Sequence, residues 1–305
     1  RPVIRLKGGG ENEQVKGIAA MSAYKDIWYE SDDGLKLYAR DYRNENAELT
    51  LLCLHGLTRN SGDFDDLALA LQSQYRVISV DQRGRGNSEW DKEVTNYQPA
   101  RYTQDMYTLI DKLSLENIVL VGTSLGGLMS MMMVALRPDI FRGVVINDIG
   151  PVVSQAGLDR IKGYVGKSKP VESWEDAVEQ VAAVSGIAFP NYKGKDWERI
   201  VHRMYEEDAN GQLVLRYDPA IAEPMANNQD NAVQADLWSL FDLMKNLPLL
   251  TFRGELTDIL SLDCANEMRR RHPDMKLVEV ANVGHAPMLD EPEVMPVLTA
   301  FLSRL

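Results

Sequence analysis

Asn117-Ile118-Val119-Leu120-Val121-Gly122-Thr123-Ser124-Leu125-Gly126-Gly127-Leu128 is the stretch that decides the fold. Residues 117–121 form an apolar, largely β-branched run, which suits a strand buried on both faces. Residues 125–136 then read as a helix, with Met129, Met131, Met132 and Met133 expected to pack against a sheet. Between the two lies Gly122-Thr123-Ser124-Leu125-Gly126. A strand can enter a helix this abruptly only if the central residue accepts a strained backbone and its neighbours at ±2 carry no side chain. The expected product is a serine hydroxyl exposed at the end of the sheet. A glycine-rich turn with an incidental serine would need neither the strand before it nor the helix after it.

The pattern outward from this turn is regular. Residues 25–30 and 35–42 read as two strands joined at Asp32-Asp33-Gly34. Residues 49–54, 76–80 and 143–147 are further short buried strands. Phe64, Leu67, Ala68 and Leu71 repeat at helical spacing, and residues 102–113 read as a helix. Strands alternating with helices imply a mostly parallel central sheet flanked by helices, an α/β fold. The alternation stops between about residues 151 and 237, where helical stripes occur without a convincing strand. Ser173 caps a stripe of Trp174, Ala177, Val178 and Val181, and Trp197, Ile200, Val201, Met204 and Tyr205 form a second. Residues 217–231 look irregular. Alternation resumes with strands at 248–253 and 276–280 and helices at 263–271 and 292–305. The expected organisation is a core of residues 21–150 and 238–305, interrupted by a helical cap at 151–237.

Composition narrows the function. The chain has 305 residues, 45% of them hydrophobic and 26% charged, the balance of a globular protein. Its net charge of -12 repels phosphate backbones, so nucleic acid is not an expected partner. Two cysteines, Cys53 and Cys264, make no disulfide framework, and a reducing cytoplasm is the expected location. No apolar run has the length of a membrane span. Residues 1–20 carry a Gly8-Gly9-Gly10 run and mixed charge. They read as a tag, linker or flexible tail, with Met21 as the expected natural start.

A serine hydroxyl needs a base, and the base needs an orienting group. Of the four histidines, His285 follows the last expected strand, on the sheet edge that carries Ser124. His202 sits on an amphipathic cap helix, and His272 ends a helix after Arg269-Arg270-Arg271, where cations suit the helix dipole. Asp258 is the preferred acid, because the order Ser124, Asp258, His285 suits a nucleophile-acid-base arrangement. Asp148 is its rival and Glu255 a weaker one. The developing oxyanion needs two donors. The backbone N–H groups of Leu125 and of Leu57, in the loop His55-Gly56-Leu57-Thr58, are the expected pair, with His55 shaping that loop.

Taken together, the His55-Gly56 loop, the Asp81-Gln82-Arg83-Gly84-Arg85-Gly86-Asn87-Ser88 turn, the Ser124 elbow, Asp258 and His285 resemble the α/β-hydrolase superfamily over residues 24–305. The helical cap between the sixth and seventh core strands is similar to the esterase, lactonase and C–C hydrolase branch. That resemblance implies a structural role for the turn at residues 81–88. Serine at the elbow, in place of aspartate, argues against epoxide hydrolases and haloalkane dehalogenases. The reading of the site is a carboxylesterase that forms an acyl-enzyme. Alternatives are a lactonase, a perhydrolase or a C–C bond hydrolase on the same triad, or a slow-hydrolysing ligand receptor. Ile259, Met288 and Trp238 are expected pocket residues; of the aromatic residues Trp174, Phe189, Trp197, Tyr205, Trp238 and Phe241, most are expected to form the core of the cap. The substrate would be a small ester or lactone. No cofactor or metal fingerprint is present, and a homodimer is an open option.

Overall fold

The computed structural model describes residues 23–224 and 236–305. The expected tail at residues 1–20, the start at Met21 and the end of the irregular segment, residues 225–231, lie outside the described residues. In chain order the strands are β1 (Lys25–Glu30), β2 (Lys36–Tyr42), β3 (Thr50–Leu54), β4 (Arg76–Asp81), β5 (Ile118–Thr123), β6 (Phe141–Asn147), β7 (Tyr205–Glu207), β8 (Leu213–Leu215), β9 (Leu249–Gly254) and β10 (Lys276–Val280). The α-helices are α1 (Asp65–Leu71), α2 (Pro99–Leu113), α3 (Leu125–Leu136), α4 (Gln155–Tyr164), α5 (Trp174–Ser185), α6 (Gly194–Met204), α7 (Leu237–Asp242), α8 (Leu262–Arg271) and α9 (Val294–Leu302).

Eight strands form one sheet in the order β1-β2-β4-β3-β5-β6-β9-β10. From β4 to β10 every pairing is parallel, while β1 and β2 add an antiparallel edge. The buried runs divide by alternation. Leu52, Leu54, Ile118 and Leu120 face a core closed by α2, α3 and α8. Leu51, Cys53, Val119 and Val121 face another, closed by α1 and α9. Both cysteines are buried and unpaired. Among the described residues no helix is long and apolar enough to cross a membrane.

The insertion holds α4, α5 and α6, and also a two-stranded sheet that periodicity does not reveal. β7 and β8 have three residues each, too few to establish an alternation. Their turn is made by Asp208, whose Oδ1 accepts the Asn210 and Gln212 N–H groups, and by Gly211 at φ 76°.

Two constraints tie the edge of the sheet together. The first is the tight entry into α3. A methyl on Gly126 would come 2.1 Å from the Leu54 carbonyl oxygen, and one on Gly122 would come 2.3 Å from the Gly126 oxygen. Only glycine lets α3 start against the end of β3. The second is a web around His55 and Asp81. His55 Nε2 accepts the Gln82 N–H at 3.1 Å, so Nδ1 carries the proton and donates to the Gly56 carbonyl at 2.7 Å. Asp81 accepts the Ser61 and Asn87 N–H groups. The histidine is wholly buried, with one nitrogen fixed as an acceptor, and burial holds its pKa down to about 4. It is structural, as its place in the loop implied.

Gly126→Ala is expected to lower stability by about 3 kcal/mol or more, since the clash is with backbone, as read by urea denaturation. The His55 web predicts a pH effect. Between pH 6.5 and 4 the unfolded chain binds a proton at this imidazole that the folded chain refuses, so stability falls as pH falls through that window. The contribution reaches about 2 kcal/mol at pH 5. Denaturation of His55→Gln at pH 7 and pH 5 should show a smaller difference than the parent protein; an unchanged difference would contradict the neutral buried imidazole.

Candidate active site

Ser124 stands between β5 and α3 at φ 51° and ψ −114°, and its N–H donates to the Asn147 carbonyl of β6 at 2.9 Å. Its hydroxyl therefore projects beyond the carboxyl edge of the sheet. His285, in the loop after β10, meets it there: Nε2 lies 2.9 Å from Ser124 Oγ. The fold thus brings together the two residues that the sequence singled out.

The acid beside His285 is not the preferred Asp258 but its rival, Asp148. His285 Nδ1 is 2.8 Å from Asp148 Oδ2. Asp148 follows β6 directly, at φ 57°, and its side chain is wholly buried. A buried carboxylate requires donors on its oxygens. Asp148 Oδ1 accepts the Gly254 N–H at 2.9 Å, and Oδ2 accepts the Thr257 hydroxyl at 2.6 Å. Gly254 closes β9 and Thr257 lies in the loop after it, the loop that was expected to supply the acid. That loop turns back at Thr257, whose N–H bonds to the Gly254 carbonyl, and so carries Asp258 past the histidine. There Asp258 meets Arg160 of α4, whose Nε and Nη2 both donate to it, the second at 2.8 Å. This guanidinium holds the Asp258 carboxyl below the usual carboxylate range. Glu255 points elsewhere and accepts the Asn282 N–H at the surface.

The two expected oxyanion donors flank Ser124. Among the described residues, neither the Leu57 nor the Leu125 N–H donates to another protein group. The peptide that carries the Leu57 N–H is held from its other side, where the Gly56 carbonyl accepts His55 Nδ1 at 2.7 Å, and the next carbonyl, that of Leu57, accepts Arg85 Nε at 2.8 Å. Arg85 is itself buried between the rings of Tyr97 and Tyr102. The turn at residues 81–88 thus supports the site edge mechanically.

A cavity of about 170 Å³ opens over Ser124, between the core loops and the insertion. Met288 lines it, as expected, and so do Phe189 and Tyr205. Ile259 and Trp238 do not. Ile259 is fully buried against Gly157, its Cδ1 lying 2.4 Å from where a methyl on that glycine would sit. Trp238 stacks edge-on to Phe241, with Arg271 over its ring. The cavity wall also contains Arg59, Arg160 and Tyr164, which sequence reading did not single out. Arg160 and Tyr164 share a helix face by their four-residue spacing, the one signal that could have paired them.

Known proteins resemble this chain in both sequence and fold. The family described as "alpha/beta hydrolase fold" matches residues 50–292. A 3-hydroxybutyrate-oligomer hydrolase of Cupriavidus necator is 32% identical over 259 residues, covering 83% of this chain and 88% of that protein. A 2-(acetamidomethylene)succinate hydrolase of Mesorhizobium japonicum is 29% identical, over 85% of this chain and 90% of that protein. The crystal structure of an α/β hydrolase from Novosphingobium aromaticivorans superposes with a TM-score of 0.89 at 40% identity, covering 93% of this chain and all of that one, 100%. With the sheet order, the elbow and these matches in agreement, the chain belongs to the α/β-hydrolase fold family.

Proposed function

We propose that this protein hydrolyses short carboxylic esters through an acyl-enzyme formed on Ser124, with His285 as base and Asp148 as the orienting acid. The observation that carries this reading is the unbroken chain Ser124 Oγ, His285 Nε2, His285 Nδ1 and Asp148 Oδ2, with contacts of 2.9 and 2.8 Å. Nε2 can accept the serine proton only if Nδ1 carries the other one. The buried Asp148 carboxylate holds the imidazole in that tautomer.

Ser124 Oγ attacks the ester carbonyl carbon while its proton passes to His285 Nε2. Charge develops on the carbonyl oxygen, and the Leu57 and Leu125 N–H groups are the donors for it. The intermediate collapses, the C–O bond to the alcohol breaks, and His285 Nε2 returns the proton to the leaving alkoxide. A water, deprotonated by the same nitrogen, then attacks the acyl-enzyme and releases the acid. Throughout, Asp148 stabilises the imidazolium, and Gly254 and Thr257 keep the carboxylate in place.

A cavity of about 170 Å³ favours a short acyl or hydroxyacyl group. Helices of the 151–237 insertion roof it, consistent with a cap that selects the substrate. The similarity to a 3-hydroxybutyrate-oligomer hydrolase makes short hydroxyacyl esters the first substrates to assay.

Labelling with a fluorophosphonate and assay of p-nitrophenyl butyrate test the assignment. Ser124→Ala should abolish labelling and lower kcat by about 10⁶-fold. Asp148→Asn should lower kcat by about 10⁴-fold, because the imidazole then adopts the wrong tautomer. Asp258→Asn should cost far less. The reverse ranking of the two aspartates, or labelling that survives Ser124→Ala, overturns the reading.

A further inference from the structure

The triad accounts for the chemistry at one end of the cavity and leaves its charged wall unexplained. In a chain of net charge -12, the residues lining this cavity include two arginines, Arg59 and Arg160, and a single carboxylate, Asp63. The two arginines arrive from opposite sides. Arg59 belongs to the loop that carries Leu57, and a methyl placed on Gly56 would lie 3.7 Å from both the Arg59 Cγ and the Ser124 Cβ. Its stem is therefore beside the nucleophile. Arg160 comes from α4 of the insertion, together with Tyr164 one turn later.

Each guanidinium is held in the same manner. Arg59 Nε and Nη2 donate to the two oxygens of Asp63, at 2.7 and 2.6 Å. Arg160 Nε and Nη2 donate to the two oxygens of Asp258. One edge of each planar fork is thus fixed by a carboxylate, and the Tyr164 hydroxyl sits against the Arg160 guanidinium. The Tyr164 hydroxyl lies in the field of both guanidiniums, which oppose the upward pull of burial on its pKa. Two cations in a partly apolar pocket are costly unless neutralised, and the two aspartates do this from the sides. The arrangement orients hydrogen-bond donors rigidly before any ligand arrives. Guanidinium forks and a phenol suit a carboxylate better than a neutral carbonyl.

We propose that Arg59, Arg160 and Tyr164 form a subsite for a carboxylate on the substrate, so that the preferred substrates are short esters that also carry a free carboxylate. This rests on the esterase reading above and adds a substrate class to it. It also assigns a purpose to Asp258. Its contact is with the substrate-binding arginine and not with the catalytic histidine. Gly157 permits this contact, since a methyl there would lie 2.5 Å from the Asp258 carbonyl oxygen and push α4 away from the loop.

The test compares p-nitrophenyl butyrate with the mono-p-nitrophenyl ester of glutarate on the full chain. The expected result is a kcat/KM at least about tenfold higher for the charged ester, the range of a charge-assisted hydrogen bond. Free glutarate should compete with p-nitrophenyl butyrate, and monomethyl glutaramide, which lacks a charge, should not. Both measurements need only the parent protein. Arg59→Met and Arg160→Met should each lower the ratio of charged to neutral kcat/KM by about tenfold, mainly through KM, and Arg160→Lys should restore part of it. A ratio near one, with no competition by glutarate, overturns the carboxylate subsite while leaving the esterase intact if Ser124 still labels. Failure to label Ser124 and to cleave either ester overturns the esterase reading itself.

Discussion

The close approach of the α3 N-terminus to the end of β3 is the contact on which the site depends. With Gly126 against the Leu54 carbonyl, no side chain fits at that position, and the chain can reverse within a few residues. The reversal forces Ser124 into a left-handed backbone that an ordinary residue avoids. The same geometry aims its hydroxyl away from the sheet and brings the Leu125 N–H alongside. Because β3 ends next to β5, the loop carrying Leu57 is delivered to the other side of the serine. The positions of Ser124 and of the Leu57 and Leu125 amides thus follow from one backbone constraint.

Electrostatics divides the neighbouring acids between two tasks. β6 and β9 pair in parallel, so the loops after them emerge side by side and both bring an aspartate near His285. Asp148 is buried and receives donors from the Gly254 N–H, the Thr257 hydroxyl and His285, which keeps it fixed beside the imidazole. Asp258 is about a third exposed and pairs with Arg160, which makes it an attachment for the insertion. The opposite side of the insertion is also tied down. Asn60 Nδ2 donates to the Arg203 carbonyl at 2.6 Å, and Arg199 and Arg203 both bond Asp66 of α1. The roof of the cavity is therefore joined to the core through polar contacts at its margins, while Val181, Trp197 and Ile200 bury its apolar side.

Much of this was legible in the chain because the signals are local. Residues 25–30 and 276–280 alternate or run apolar as strands must, and the helix at 125–136 follows from its own composition. The elbow serine and the histidine after the last strand could be named from spacing alone. The β7–β8 hairpin could not, because three-residue strands establish no period. Ile259 looked like a pocket residue from its place beside an acid, yet it packs against Gly157. Nothing in the linear order says which face of a loop turns inward.

What the sequence by itself determined was the parallel sheet, the Ser124 elbow and the place of His285 at the same sheet edge, since each rests on residues adjacent in the chain or on strand order. Only the tertiary structure decided between Asp148 and Asp258, because both stand after neighbouring strands and equally satisfy a spacing argument. The choice is made by burial and by donors from residues more than a hundred positions away. The pairing of Arg59 with Asp63 and of Arg160 with Asp258 around one cavity is likewise a product of packing. Residues from the core and from the insertion become neighbours only when α4 settles on the loop after β9.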